Sequence, residues 1–519
     1  MKLTKLEKRL LECMRKGDEL DLEPHYDKPE SVPETVIAAW GSRHTIRASV
    51  IREIMRGTVP DLEAVDPRGL QLRGARISGR LDLEDVECLF PLKMTACYFE
   101  QGIDAESAIF PRLELRYCVI EASVESSRKA KIHSAVCLTG ARINGRLSFT
   151  GSLLKNQSGP ALLADRLLVE GDLFLREKFR SNGAGEFGAV RLTGAIVRGR
   201  LDLSNAVMKN ETGPALSADG LVVDGDLRLD EELRAFGNGE HGAVRLLGTK
   251  IGGQLSLSDA ILTNETGPAL LADRLSVDGD LFLDGNFCAC GSGEYGAVRL
   301  KGAKVCALHI GAGILEKSRW GVKWVVDGLS YEGCPTEQPK AWLKFLKKQT
   351  LDYAAQPYQQ LAHNFFEAGH DSRVRKTLIT QRFDQLRRGK PGVKDWLWGA
   401  FTGITVGFGY LSWLPIVWLI AIFAVVYCLV TRVYSDGLAS TSELKIAGAD
   451  PTCTGLEQFQ MVVDMVVPLV STGVNETCQV VARVPDGEAL AIVSMVAQGA
   501  SWALLTLFVA GFTGIIRRN

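Results

Sequence analysis

The chain has no net charge to act through. Sixty basic and 61 acidic side chains leave a formal charge of −1 over 519 residues, which excludes a nucleic-acid binder built on a whole-chain positive field. The marks of common metal and redox sites are also missing. The 12 cysteines contain no CxxC pair, no CxxCH and no zinc-ligand spacing, and there is no HExxH. Scattered thiols in so long a chain fit a reducing compartment, where most act as small buried hydrophobes. Cys288 and Cys290 are the one close pair, two apart and able to share a strand face. The 18 prolines form no run, which excludes a Pro-rich linker protein. The N-terminal stretch MKLTKLEKRLLECMRKGDELDLE is charged and amphipathic and lacks the apolar core of a secretory signal, so most of the chain is expected to stay in the cytosol.

Glycine, by contrast, is abundant: 53 residues, about one in ten against a usual level of roughly 7%. The chain must turn often. At about 150 residues per domain its length suggests three to four units. Residues 1–65 read as a helical cap, with helical spacing at Leu6, Leu10, Leu11 and Met14 and again at Ile46, Val50, Ile51 and Ile54.

Residues 66–333 repeat. AVRLTGAIVRGRLDL (189–203) returns as AVRLLGTKIGGQLSL (243–257) and AVRLKGAKVCALHI (297–310), and occurs earlier as AVCLTGARINGRLSF (135–149) and LQLRGARISGRLDL (70–83). The offset from Leu192 to Leu246 to Leu300 is 54. Each such unit holds a second, divergent copy: ALLADRLLVEGDLFL, ALSADGLVVDGDLRL and ALLADRLSVDGDLFL. Aligning Leu173, Leu201, Leu227, Leu255 and Leu281 gives steps of 28, 26, 28 and 26, a structural unit of about 27 residues. Short period-two alternations punctuated by glycine cannot bury their apolar faces alone and must stack on neighbours. The fold class expected is a β-solenoid, a right-handed β-helix of about 27-residue coils, with a helical cap, a helical connector and two transmembrane helices.

Just before the aligned leucine, successive coils carry Arg146, Asp172, Arg200 and Asp226, then Gln254 and Asp280. Unlike charges on neighbouring strands about 4.8 Å apart attract, by roughly 0.2–1 kcal/mol per pair. This reads as a structural charge ladder in which Arg200→Asp should destabilise more than Arg191→Asp, since the register gives Arg191 no charged neighbour. Between coils, KNQSGP, KNETGP and TNETGP supply turn geometry. Asn210-Glu211-Thr212 matches a glycosylation pattern but reads as a cytosolic turn, and the GxGE loops are weak candidates for an anion.

Residues 334–395 form a connector with helical spacing over 337–350 and 357–389, broken at His370-Asp371-Ser372. His363 and His370 find no third metal ligand. Residues 396–519 form a membrane module. Leu411–Val430 and Ala489–Ile516 are uncharged and long enough to cross a hydrocarbon core of about 30 Å. Eight Lys or Arg against two acids lie between Arg373 and Asp395, and the chain ends Arg517-Arg518-Asn519; the loop from Val433 to Glu488 has Lys445 and Arg483 against eight acids. That bias places both termini and the solenoid in the cytoplasm.

The outer loop holds Cys453 and Cys478, candidates for a disulfide in an oxidising exterior. Its apolar stretch 456–473 is too short to span and reads as a short re-entrant or interfacial helix. The order span, short apolar helix, Ser471-Thr472-Gly473, span is that of two-span pore-loop channels, although TVGYG is missing and Gly407-Phe408-Gly409-Tyr410 precedes the first span as a loop. Asp464, within the apolar stretch, is the best single functional candidate. The plainer alternative is an amphipathic outer helix with Asp464 simply exposed. Gly499 with Ala503, and Ala510 with Gly514, have small-xxx-small spacing for close helix packing. Two spans cannot enclose a pore, so a channel would be a homo-oligomer.

The repeated L-x-G-A-x-I-x-G-x-L-x-L, the QPYQQLAHNFFEAGHDSRVRKTLI segment and the two terminal spans resemble a family of uncharacterised bacterial proteins labelled membrane-associated oxidoreductases. The likeness runs from about residue 69 onward and implies a bacterial inner-membrane protein. The coils also look like pentapeptide-repeat or bactofilin coils, whose repeat lengths differ from 27. The residues themselves carry no GxGxxG at a strand-to-helix turn and no haem or dithiol motif. No catalytic, metal or cofactor-binding residue is assigned. Three readings follow: a non-enzymatic membrane protein whose solenoid binds or scaffolds an unidentified cytosolic protein or ligand; an oligomeric pore gated by the solenoid; and a membrane oxidoreductase. The lipid bilayer is the common partner, and nucleic acid is expected in none.

Overall fold

A computed structural model describes residues 2–59, 65–122, 134–292, 295–316, 322–433, 438–440, 453–467, 469–474, 478–480 and 485–513. The chain divides into two units, Met1–Val374 and Arg375–Asn519.

The first unit is a parallel β-solenoid. Leu70, Leu92, Leu113, Leu147, Leu173, Leu201, Leu227, Leu255, Leu281 and Leu308 pair one to the next across ten coils. Each central coil has four short strands, so four ladders run along the solenoid. In one coil they are entered at Leu147, Leu153, Leu162 and Leu168. Two of the ladders join where the longer strand Lys304–Ile310 pairs with both Ser276–Val277 and Leu281–Leu283. Alternation sends Leu201 and Leu203 into the core, both within 1% of full burial. Burying one such leucine contributes roughly 1.5–3 kcal/mol.

The earliest copy of the motif sits differently from the rest. In 135–149 its last leucine, Leu147, belongs to the ladder of Leu173. In 70–83 the equivalent Leu81 pairs with Ile103, and Ile103 with Val136. The same local strand-turn-strand sequence therefore occupies two different sets of faces. The motif encodes turns, and the face is set by how many residues precede it: the leucines at 70, 92 and 113 are only 22 and 21 apart.

Both ends of the core are covered, as a solenoid requires. At the first coil lie α1 (Lys5–Lys16), with a Thr4–Glu7 capping box, and α3 (Ala48–Met55), which buries Val50, Ile51, Ile54 and Met55. Ile46 lies in a strand, Thr45–Arg47, that pairs with Arg76–Ser78 and starts one ladder. Between them the short α2 (Glu34–Ala38) and Val32 pack with Trp40 against Ala96 and Val119, on the side of the solenoid. At the other end, α4 (Ala312–Glu316), α5 (Pro339–Lys348) and α6 (Gln356–Glu367) follow the last coils. Trp342 and Tyr358 are fully buried there, and Trp342 Nε1 donates to Tyr331 Oη at 3.0 Å.

The remaining helices are α7 (Asp371–Arg388), α8 (Val393–Val406), α9 (Leu414–Arg432), α10 (Gly455–Val466) and α11 (Pro485–Phe512). Helices α9 and α11 are long and apolar enough to cross a membrane, with mean hydropathies of 2.6 and 1.8, and only 17% of each window is buried. A core helix of a soluble domain would be mostly buried. Helix α10 rests on both, burying Met461, Val462, Met465 and Val466 with Val426, Val430 and Leu490. It ends at Val466, short of the 456–473 expected, because the residue before Pro468 is pushed out of helical geometry.

Candidate functional site

A concavity lies on the solenoid, where the N-terminal segment runs beside the coils. Two adjoining clefts of about 440 and 380 Å³ share Glu30, Tyr117, Glu177, Lys178 and Asn205. Pro29, Val32, Glu34 and Ile37 form one wall, held across the groove by the Glu34–Arg180 ion pair. The opposite wall is a corner of successive coils.

That corner is unusual in its residues. At nine successive coils the chain turns there through the left-handed region, and the column reads Gly74, Ala96, Tyr117, Gly151, Glu177, Asn205, Glu231, Asp259 and Gly285, all at positive φ. Another corner makes the same turn mostly with glycine, at 140, 194, 220, 248, 302 and 328. An L side chain in this region costs roughly 1–2 kcal/mol, so the groove corner keeps side chains where glycine would be cheaper. Asn and Asp tolerate it best; Tyr117 and the glutamates do not.

Behind the corner lies a buried polar column. Asp202 and Asp230 are 1% and 6% exposed, and Ser204 Oγ stands 2.6 Å from Asp202 Oδ1 and 2.7 Å from Asp230 Oδ1. One hydroxyl proton serves two carboxylates, so cations must complete the balance. Arg176 Nη1 approaches Asp202 Oδ2 at 3.3 Å and Arg228 Nε approaches Asp230 Oδ2 at 3.1 Å. Burial alone would lower the Arg228 pKa, but Asp230, Asp202 and Glu231 raise it. Tyr117 Oη donates to Glu177 Oε2 at 3.2 Å; burial and then that carboxylate push the phenol up to about 12. Lys178, exposed in the groove, has no ion pair among the described residues. The groove thus offers a phenol, an ammonium and carboxylates to a polar ligand or peptide. Sequence reasoning did not find it, because its outer wall comes from a segment that does not repeat. The recurring turn residues Arg176-Glu177-Lys178, Ser204-Asn205 and Asp230-Glu231-Glu232 were the available signal.

The charge ladder residues stand in register, with different partners. Asp172 Oδ1 accepts from the Arg200 backbone N–H at 3.0 Å, and Asp226 Oδ1 from the Gln254 N–H at 3.0 Å. Arg200 Nε is 3.9 Å from Asp226 Oδ2, and Arg146 lies over the Phe174 ring at 5.3 Å. Arg191 is not free of charged neighbours: its guanidinium grips Asp165 of the preceding coil. Asp219–Arg245 and Asp273–Arg299 repeat that pair. The signal was an Asp-to-Arg offset of 26 residues, occurring three times.

In the second unit the structure joins Cys453 to Cys478 by a disulfide, next to the strand pairing of Leu438–Ser440 with Cys478–Val480. Thr454 caps α10, with Glu457 completing a capping box. Asp464 Oδ1 accepts from the Thr472 N–H at 2.7 Å, while Oδ2 is buried without a hydrogen-bond partner among the described residues. Ser471, Thr472 and Gly473 are exposed, and Gly473 has φ +75°. Asp464 therefore ties the loop back onto its own helix. Gly499 and Ala503 share the exposed side of α11, with nothing within 4 Å of a Cβ placed on Gly499. Ala510 is half-buried; Gly514 and Arg517-Arg518 lie outside the described residues. Gly407–Gly409 forms a 3-10 turn with Phe408 buried against Phe383.

The weaker candidates find internal partners. Asn210 Nδ2 donates to the Gly185 and Pro214 carbonyls, and its Oδ1 accepts from Thr212 and Gly213; at 3% exposure it is a turn residue. The Gly185 and Gly239 amides of the GxGE loops donate to Thr212 and Thr266 of the next coil at 2.7 Å. His363 sits 3.4 Å from Glu367 on an exposed helix face. Cys288 and Cys290 bring their sulfurs to 3.3 Å, and burial pushes the Cys290 thiol up to about 11. Asp104, Glu106 and Cys137 place ligand atoms within 4.8 Å of one another, but Arg80 Nη2 holds Asp104 at 2.8 Å and burial raises the Cys137 thiol.

Comparison of the chain with protein-family models, with curated proteins and with solved structures returned no match, so the oxidoreductase label finds no support beyond the sequence resemblance.

Proposed function

We propose that this chain is a bacterial inner-membrane protein whose solenoid, on the cytoplasmic side, binds a protein or polar ligand in the Tyr117–Asn205 groove. Helices α9 and α11 anchor it, with both termini inside and the disulfide-bearing loop outside. The observation that carries the binding role is the column of side chains kept in left-handed geometry along the groove. Backbone strain of this kind clusters at functional sites. The groove's phenol, ammonium and carboxylates suit recognition of a polar partner, and the role we propose is scaffolding or sensing.

Photo-crosslinking in native membranes tests it. A photoreactive residue in place of Asn205 should capture a discrete partner or ligand, and one in place of the exposed Lys250, on another face, should not. No adduct from Asn205, or the same adducts from both, would overturn the reading.

A second reading is a homo-oligomeric pore gated by the solenoid. It is favoured by the Asp464–Thr472 bond, which fixes a loop behind a short helix between two spans, and by the exposed Gly499–Ala503 face available to a second copy. Planar-bilayer recording of wild type and Asp464→Ala separates the two. Conductance altered by the substitution supports the pore, and silence in both removes it.

A further inference from the structure

Helix α8 presents an apolar ridge that neither span covers. Its 14 residues reach about 21 Å at 1.5 Å per residue, too short for a hydrocarbon core of about 30 Å. Only a narrow side is buried, at Thr402, Gly403 and Val406, with Gly399 so close to Leu386 that a Cβ would meet its Cδ2 at 2.6 Å. Facing outward are Trp396, Leu397, Trp398, Phe401 and Ile404, between 45% and 63% exposed.

Two further features say what covers the ridge. Trp418 Nε1 in the first turns of α9 donates to the Ile404 carbonyl at 3.0 Å, so the ridge is fixed where the membrane-crossing helix begins. Next to it stand Arg387, Lys390 and Lys394, all exposed and without a carboxylate partner among the described residues; the nearby Asp384 is taken by Arg388. Tryptophan rings settle at the headgroup level, and unpaired cations beside a span attract anionic lipid.

We infer that α8 lies flat in the membrane interface and that Arg387, Lys390 and Lys394 form a recognition site for anionic phospholipid headgroups. The inference rests on the membrane reading of α9 and α11. The site gives the membrane module a preference among lipids in addition to a means of insertion.

The test uses the full chain in nanodiscs holding equal mole fractions of phosphatidylcholine and phosphatidylglycerol, with one or the other brominated on its acyl chains. The emission of Trp396 and Trp398 is obtained by difference from Trp396→Phe/Trp398→Phe, and that of Trp502 in α11 from Trp502→Phe. Brominated phosphatidylglycerol should quench the α8 tryptophans more than brominated phosphatidylcholine, and the excess should vanish in Arg387→Ala/Lys390→Ala/Lys394→Ala and in high salt. Equal quenching by both lipids overturns the headgroup site. Quenched Trp502 with unquenched Trp396 and Trp398 overturns the interfacial placement and leaves the spans intact, as it would if a second copy covered α8. No quenching of any of the three overturns the membrane reading itself.

Discussion

Asp165 and Arg191 lie on successive coils of the solenoid with both carboxylate oxygens facing the guanidinium, and Asp165 Oδ1 also accepts from the Thr193 N–H at 3.3 Å. The side chains are 20% and 16% exposed. One carboxylate thus locks a side chain and a backbone amide of the next coil together. Asp219 and Asp273 do the same for Leu247 and Lys301.

This pair reverses the order of sensitivity that the aligned register alone suggests. Arg191→Asp puts two acids together in a partly buried site and should cost about 3–5 kcal/mol. Arg200→Asp, at the exposed Asp226, should cost about 0–1 kcal/mol. Thermal unfolding of the two variants checks this; a midpoint lower for Arg200→Asp would contradict it.

Asn210→Ala leaves two carbonyls and two amides of a buried turn without their partner, at a cost of roughly 1–3 kcal/mol or more. Asn210→Asp keeps the acceptor and loses the donor, so it should also destabilise. Hydrogen exchange over 185–215 should rise in both. An unchanged Asn210→Asp would show that the donor half of the side chain is idle.

Glu7 is fully buried. Burial would raise its pKa, but Arg47, bonded at 2.8 and 2.6 Å, and the amides of Thr4 and Arg47 outweigh this and lower it from 4.5 to about 2. A pKa lower in the folded state stabilises above the unfolded value, here on the order of 3 kcal/mol, and the benefit is lost as pH falls from about 4.5 to 2. The stability gap between wild type and Glu7→Gln should close over that window. A gap independent of pH would contradict the assignment.

Asp464→Ala frees the Thr472 amide, which should exchange faster, whereas Asp464→Asn keeps an acceptor and should stay near wild type. Equal exchange in all three would show that the loop is held by something else, such as the Cys453–Cys478 disulfide.

Repetition made the solenoid legible. The Leu173-to-Leu281 alignment matches the observed register because each coil packs mainly on its neighbours, and a nearest-neighbour structure writes itself into the sequence as a period. The two apolar helices were equally plain, each containing a long uncharged run. The groove was not legible, since Glu30 and Glu34 reach Tyr117 and Arg180 across long stretches of chain with no periodic trace. The displaced faces of 70–83 were hidden for the opposite reason: the motif is the same, and only the spacing of its neighbours differs. Helix α8 was overlooked because its apolar stretch falls below a spanning length.

Labelling in sealed right-side-out membrane vesicles tests most directly whether a cytoplasmic solenoid hangs from a two-span anchor. A membrane-impermeant maleimide is applied to the full chain carrying Leu469→Cys in the outer loop, and labelled peptides are read by mass spectrometry. The thiol introduced at position 469 should react in sealed vesicles, and the exposed Cys306 of the solenoid only after permeabilisation. Labelling of Cys306 in sealed vesicles, or protection of the introduced thiol until they are opened, would contradict the topology.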